Sequence, residues 1–594
     1  MNSRDPAASI LHDTPVPVPA QDEVWGSDAM AACLRALDVP YLALNPGASY
    51  RGLHDSIVNH LGNESPQMLL TLHEESAVAI AHGYAKAASR MMGAVVHSNV
   101  GLMHSTMAIF NAWCDRMPIM VLGATGPWDA AKRRPWIDWI HTVSDQGALV
   151  RDYTKWDNQP GSIPAAIEAM LRASMMANTA PFGPVYINFD AALQEAKIGP
   201  MPAMPDVSRY APPAPPAPSA EALAAAVKLL SNAKSPVILA GRVNRSTTSW
   251  AERVALAERL QARVLTDIKQ SAAFPTNHPL HAAPPGSFLA PQALDILRNA
   301  DVVLSLDWND LAGTLKQAWG EASVSAKVIQ VSVDQLSHRG WSADHQGLPP
   351  ADVYMLSDPD ATVPLLLAAV PTRAPIAGLK AAEVPRPSGD ALSIHALAHT
   401  LNTLTEGTDV CVTRVPLGWN GAYRHFTHPL DYLGSDGGGG IGSGPGMAIG
   451  AALALKGSGR LPVAVLGDGD TLMGITALWT AAHYKIPLLV IVSNNRSFFN
   501  DEMHQERVAV ARSRPVENKW IGQRISDPDI DLAQMARAQG CEGIGPVHAL
   551  AELEPALARA VEIVRAGGTC LVDVRVLPGY DTNMSGTPSA AHKR

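Results

Sequence analysis

The stretch from Leu461 to Asn495, LPVAVLGDGDTLMGITALWTAAHYKIPLLVIVSNN, decides the fold. Its first apolar run ends in Gly467-Asp468-Gly469-Asp470 and its last in Asn494-Asn495, with room for one helix in between. A strand, a helix and a strand in this order form a parallel βαβ unit, so both polar motifs fall at strand carboxyl ends and can converge on one crevice. A carboxylate and an amide oxygen meeting there are hard ligands suited to Mg²⁺. Gly467 and Gly469 would let a diphosphate approach the backbone, and a helix beginning near Thr471 would present free N–H groups to it. Either motif alone reads as an ordinary turn or strand end; the pair at this interval is specific.

The same alternation runs through the rest of the chain. Before residue 200, the runs YLAL (41 to 44), MLLTL (68 to 72), AVVHS (94 to 98) and PIMVLG (118 to 123) are interleaved with helical patterns near 50 to 60, 74 to 89 and 101 to 114. PVILAG, ARVLTD, DVVLSLD and KVIQVSVD repeat the alternation between 236 and 334, and TCLVDVRVL (569 to 577) completes it after the opening stretch. Alternating strands and helices imply mostly parallel sheets covered on both faces. Pro- and Ala-rich stretches without apolar periodicity, 200 to 218 and 371 to 390, read as linkers. The expectation is three doubly wound, mostly parallel α/β domains at 20–199, 219–370 and 391–578, followed by a polar tail from about 580.

Composition narrows the function classes. The chain has 594 residues, 47% hydrophobic and 17% charged, which is ordinary for a globular protein of several domains. Lys and Arg number 46 against 55 Asp and Glu, and no basic run offers a surface for nucleic acid or anionic lipid. Cys33, Cys114, Cys411, Cys541 and Cys570 are scattered and odd in number, which fits reduced thiols rather than a disulfide framework or zinc site. The first residues lack the basic start and apolar core of a secretory signal, so a cytoplasmic location is expected.

With GDG, an interval and NN in place, the sequence resembles the thiamine-diphosphate-dependent enzyme family. The resemblance implies Asp468, the side chain of Asn495 and the carbonyl of Ser497 as Mg²⁺ ligands, with Gly467, Gly469 and Asp470 at the diphosphate. Asp470 stands where relatives commonly carry serine. HEESAVAIAHGYAKA (73 to 87) resembles the family's E-x-x-A-x-x-x-A-x-G-Y segment, which implies Glu74 as the carboxyl that shares a proton with the cofactor's pyrimidine ring and activates it. DGGGGIGSGPGMAIGAALAL (436 to 455) resembles the segment that grips that ring, with Ile441 at the bulky position between Gly440 and Gly442. Family active sites lie between subunits, which implies a homodimer or homotetramer.

For the reaction, local similarity points to the benzoylformate decarboxylase branch, through ALWTAAHYKIP (477 to 487) and the stretch from His97-Ser98 to Asn111-Ala112-Trp113. It implies His97 as a proton-transfer group; the alternative is a histidine satisfied at a strand end. Ala48, in NPGAS, replaces that branch's substrate-contacting serine, and Ser49 follows it. His278 resembles the second histidine of that enzyme, with His281 and His104 as weaker candidates. Asp501, in SFFNDEMHQERVA (497 to 509), lies where pyruvate decarboxylases place a catalytic glutamate; a solvated acidic loop is the other reading. Trp128, Trp136 and Trp139 alternate with Lys132, Arg133 and Arg134, which suits either docking of an aromatic or anionic group or core packing. The expected activity is non-oxidative decarboxylation of a 2-oxo acid. Acetolactate synthase-like or benzaldehyde lyase-like chemistry, with an aldehyde as substrate or partner, is the first alternative. FAD-dependent oxidation through the middle block is a less favoured one.

Overall fold

The computed structural model describes residues 13–19, 23–334, 346–435 and 437–579; the polar tail expected from about 580 lies outside them. The aliphatic runs form three sheets whose ladders are all parallel. In the first domain the strands are β1 (Tyr41–Leu44), β2 (Gln67–Leu70), β3 (Met92–Val95), β4 (Ile119–Thr125), β5 (Asp157–Asn158) and β6 (Val185–Asp190), in spatial order β2-β1-β3-β4-β6-β5. The middle domain holds β7 (Pro236–Ala240), β8 (Arg263–Thr266), β9 (Val302–Leu306), β10 (Lys327–Val331) and β11 (Val353–Met355), ordered β8-β7-β9-β10-β11. The third domain holds β12 (Val410–Arg414), β13 (Leu461–Gly467), β14 (Leu488–Asn494), β15 (Glu542–Val547) and β16 (Thr569–Arg575), ordered β12-β13-β14-β16-β15.

Six helices matter for the site: α1 (Glu74–Ala88), α2 (Ser98–Cys114), α3 (Gly444–Ala454), α4 (Asp468–Gly474), α5 (Ala477–His483) and α6 (Phe499–Ala511). Alternate residues of each central strand enter different cores, as a pleated strand buried on both faces requires. Ala94 and Val121 face one core, while Leu42, Met120 and Leu122 face another beneath the Ile163–Ala177 helix. Ala464, Leu466, Val490 and Val492 belong to the first of these cores, so the first and third domains are packed into one body through α1 and α3. The other face of the third sheet, Val463, Val465, Leu489 and Ile491, packs on a separate cluster with Leu397 and Leu557.

The contact between α1 and α3 is made possible by small residues. A Cβ on Gly83 would stand 1.9 Å from the Met447 carbonyl oxygen, and one on Gly450 would stand 1.9 Å from that of Ile80. Backbones at this separation bring the start of α1 beside the start of α3. At the same boundary, the Tyr484 hydroxyl accepts from the Leu70 N–H and the Thr480 hydroxyl donates to the Leu70 carbonyl. Between the first and middle domains, Asp334 accepts from both Arg116 and Arg242, and Arg242 also reaches Asp307 at 3.0 Å. Among the described residues no helix is long and apolar enough to cross a membrane, and the five cysteines are free.

Candidate active site

The third-domain end of the site is built at the ends of the neighbouring strands β13 and β14. Helix α4 begins at Asp468, three residues earlier than the sequence pattern suggests, so this carboxylate sits in the first helical turn. Asp468 Oδ1 accepts the Gly469 N–H at 2.8 Å, and Oδ2 accepts the Ser497 N–H at 3.1 Å. Asn495, just past β14, accepts the same Ser497 N–H at 3.0 Å through Oδ1. Asp468, Asn495 and Ser497 are therefore gathered by one shared amide. Burial pushes the Asp468 carboxyl up to about 6, opposed only by backbone N–H donors. A buried carboxylate with backbone partners alone is undercompensated, and a divalent cation would relieve that cost. A Cβ on Gly467 would meet nothing within 4 Å, which leaves the backbone there open to a ligand.

The first-domain end centres on Glu74, the buried first residue of α1. Its Oε2 lies 3.1 Å from His104 Nδ1. His73 caps the helix by accepting the Glu75 N–H and stacks on His104 with ring centroids 5.0 Å apart. His73, Glu74 and His104 together could hold a metal ion by geometry, but the capping bond already occupies His73 Nδ1. His97, two residues past β3 and just before α2, lies 2.8 Å from the Ser49 hydroxyl through Nδ1. A Cβ on Gly47 would stand 2.4 Å from His97, so that loop reaches the imidazole only because residue 47 is glycine. Ser49 is buried and Ala48 exposed, which places the hydroxyl one residue later in the loop than in the benzoylformate decarboxylase pattern.

His141, which no sequence motif singles out, stands edge-on to His97 with ring centroids 4.7 Å apart. Its segment is held to the start of α2 by Asn99, whose amide donates to the Ile140 carbonyl at 3.2 Å, and by Ser98, whose hydroxyl donates to the His141 carbonyl. Burial lowers the His97 pKa first and the His141 charge lowers it further, with Glu74 pulling the other way.

The glycine-rich turn of the third domain is held against the first domain. Asn111 of α2 donates to the Gly440 carbonyl at 3.1 Å, and the Ser443 hydroxyl donates to Glu75 at 3.0 Å. The Gly442 N–H donates to Asp470 at 2.7 Å, and Ile441 is half-buried beside it. Glu75 thus faces the turn while Glu74 faces the histidines. A Cβ on Gly469 would meet the Phe498 ring at 2.5 Å, which packs the segment after β14 over α4.

The remaining expected residues lie apart. His278 has its ring nitrogens engaged by Glu258 and the Leu280 N–H, with Phe274 as ring neighbour, all within the middle domain. Asp501 is exposed in the first turn of α6. Trp128, Trp136 and Trp139 are 57%, 66% and 78% exposed, which rules out the core-packing reading of that loop. Arg133 is tied to the Pro127 carbonyl and Arg134 to Asp138.

Three parallel α/β units, with a Gly-Asp-Gly turn and an Asn-Asn strand end in the last, define the class: a cofactor enzyme built around thiamine diphosphate. The chain belongs to the thiamine pyrophosphate enzyme family, whose N-terminal TPP binding domain matches residues 24–149, central domain 223–363 and C-terminal TPP binding domain 416–574. It is an enzyme of the decarboxylase and acetolactate synthase type. It is 26% identical over 543 residues to a probable 2-ketoarginine decarboxylase of Pseudomonas aeruginosa, spanning 89% of this chain and 90% of that one. It is also 26% identical over 525 residues to the benzoylformate decarboxylase of the same organism, covering 84% and 90%. A probable acetolactate synthase large subunit of Methanocaldococcus jannaschii is 26% identical over 552 residues, covering 87% and 86%. The crystal structure of benzoylformate decarboxylase from Polynucleobacter necessarius shares the fold, with a TM-score of 0.77 at 19% identity, over 94% of this chain and 99% of that one.

Proposed function

We propose that this enzyme uses thiamine diphosphate and Mg²⁺ to decarboxylate a small 2-oxo acid without oxidation, releasing an aldehyde. The observation that carries the reading is the buried Asp468, held by backbone N–H donors and gathered with Asn495 and Ser497 at adjacent strand ends. These three residues would hold the metal, and Gly467, Gly469 and the turn at 440 to 442 would admit the diphosphate and the pyrimidine. When bound, the cofactor supplies an electron sink beside the carbonyl carbon. Glu74 would present a buried carboxyl where the pyrimidine ring meets it. His97, fixed by Ser49 through Nδ1, keeps Nε2 for proton transfer to substrate or product. Asp501 is assigned to the segment that covers the site, and His278 is retained as a substrate-side group only if a second subunit brings the middle domain to the mouth of the pocket.

Glu74 and Asp468 of different subunits would complete each site, so the working unit is a homodimer or homotetramer, placed in the cytoplasm. A carboligase is the second reading, supported by similarity to acetolactate synthases; there a second carbonyl compound takes the place of the proton. FAD-dependent oxidation is the less favoured alternative, and a purified protein without flavin absorbance would remove it. The deciding experiment is a panel of aliphatic, aromatic and guanidino 2-oxo acids assayed for CO₂ release with cofactor and Mg²⁺. Aldehyde as the sole product supports the decarboxylase; a hydroxyketone selects the carboligase; no CO₂ from any member rejects both decarboxylating readings.

A further inference from the structure

Asp470 departs from the family pattern by placing an extra carboxylate beside the expected diphosphate, a position where an uncompensated negative charge would repel it. The structure shows what that carboxylate does. Its Oδ1 accepts the N–H of Gly442 at 2.7 Å and the N–H of Gly444 at 3.2 Å. Its Oδ2 lies 3.2 Å from Nε of Arg414, the last residue of β12, and both side chains are 7% exposed. Arg414 also lies against the Met447 sulfur at 3.7 Å, inside α3. One buried charge pair therefore joins the end of β12, the first turn of α4 and the turn at 442 to 444. Gly442 has φ of +109°, a backbone state open to glycine, and its N–H is the one Asp470 takes.

We propose that Asp470 and Arg414 are positioning residues forming a buried clamp, which sets the pyrimidine-gripping turn against the diphosphate-gripping turn before the cofactor arrives, while Arg414 cancels the charge Asp470 would turn on the diphosphate. This rests on the site assignment above and makes the two substitutions interdependent. A lone Asp470 is a buried anion facing an anion, and without Asp470 the turn at 442 to 444 loses its brace. Breaking one partner of such a pair costs far more than replacing both.

The test uses full-length metal- and cofactor-free protein titrated with thiamine diphosphate in Mg²⁺ by calorimetry. Arg414→Met should weaken binding on the order of 100-fold. The double variant Arg414→Met/Asp470→Ser should recover most of that loss, to within about 10-fold of the parent. A double variant no better than Arg414→Met would mean that Arg414 serves the diphosphate directly and would overturn the clamp, as would unchanged binding by Arg414→Met. Hydrogen exchange on the cofactor-free protein provides a second readout. Asp470→Ser should speed exchange of the Gly442 and Gly444 amides, and unchanged exchange would also overturn the proposal. If Arg414→Met does not fold, Arg414→Lys keeps the charge and should bind within about 10-fold of the parent; a loss as large as 100-fold there would count against charge compensation. Asp468→Ala separates the two levels: retained Mg²⁺-dependent affinity in that variant rejects the cofactor site itself, whatever the clamp does.

Discussion

Asp468 and Glu74 invite comparison because each is a buried acid at the first position of a helix, one in the third domain and one in the first. A helix N-terminus favours both. They differ in what faces them. Asp468 has only backbone N–H donors, and burial still pushes it up to about 6. Glu74 has the half-exposed His104 at 3.1 Å. An acid with fixed amide partners and no cation is suited to hold a metal, whereas an acid beside an imidazole is suited to exchange a proton. The two ends of the site thus divide binding from chemistry.

The largest expected effect breaks the binding end. Asp468→Ala should abolish Mg²⁺-dependent binding of thiamine diphosphate in calorimetry, and retained affinity would remove the metal from this end. In the parent protein, Mg²⁺ affinity should fall as pH drops through about 6, because a proton then competes for the carboxylate that burial has pushed up. Next, Glu74→Gln should leave cofactor affinity within about 10-fold yet slow deuterium exchange at cofactor C2 by roughly 10² to 10⁴. Loss of affinity with normal exchange would invert the assignment of roles.

The sequence carried the fold wherever strands are central and aliphatic. LPVAVLG and PLLVIV are buried at almost every position, so their reading needs no tertiary information. Two edge strands were illegible: Asp157–Asn158 has two polar residues, and Glu542–Val547 contains two glycines and a proline, so neither shows a period. Asp468, Asn495 and Ser497 were legible because two short motifs place them at adjacent strand ends. His141 was not, since it reaches His97 from a loop that begins at the end of the next strand and carries no motif of its own. The meaning of Asp470 was likewise hidden, because its partner Arg414 lies 56 residues away, in a run, VCVTR, that no motif singles out.

A smaller effect tests whether the two ends depend on one another through the α1–α3 contact. Gly450→Ala would drive a methyl group into the Ile80 carbonyl and part the helices that carry Glu74 and the glycine-rich turn. A loss of about 1 to 3 kcal/mol in unfolding free energy is expected from chemical denaturation, with cofactor affinity falling alongside. A stable variant with normal affinity would show that the ends are positioned independently.

The smallest effect sharpens the chemical end alone. His97 is held below the ordinary histidine value, chiefly by burial and then by His141, while Glu74 opposes them and the Ser49 hydroxyl is neutral. Because the folded state favours the neutral imidazole, His97 contributes stability that is present above its unfolded pKa and lost as pH falls through the depressed one. Phenylalanine at 141 keeps the edge-on ring and deletes the charge. His141→Phe should therefore raise the His97 pKa and move the acid limb of the pH–rate profile to higher pH, with turnover at neutral pH changed only a few-fold. Since the substitution alters only the first-domain end, Mg²⁺-dependent cofactor affinity should not move with it. A limb that shifts to lower pH would mean that His141 supports the protonated form of His97, and proton transfer at this end would then run through both rings.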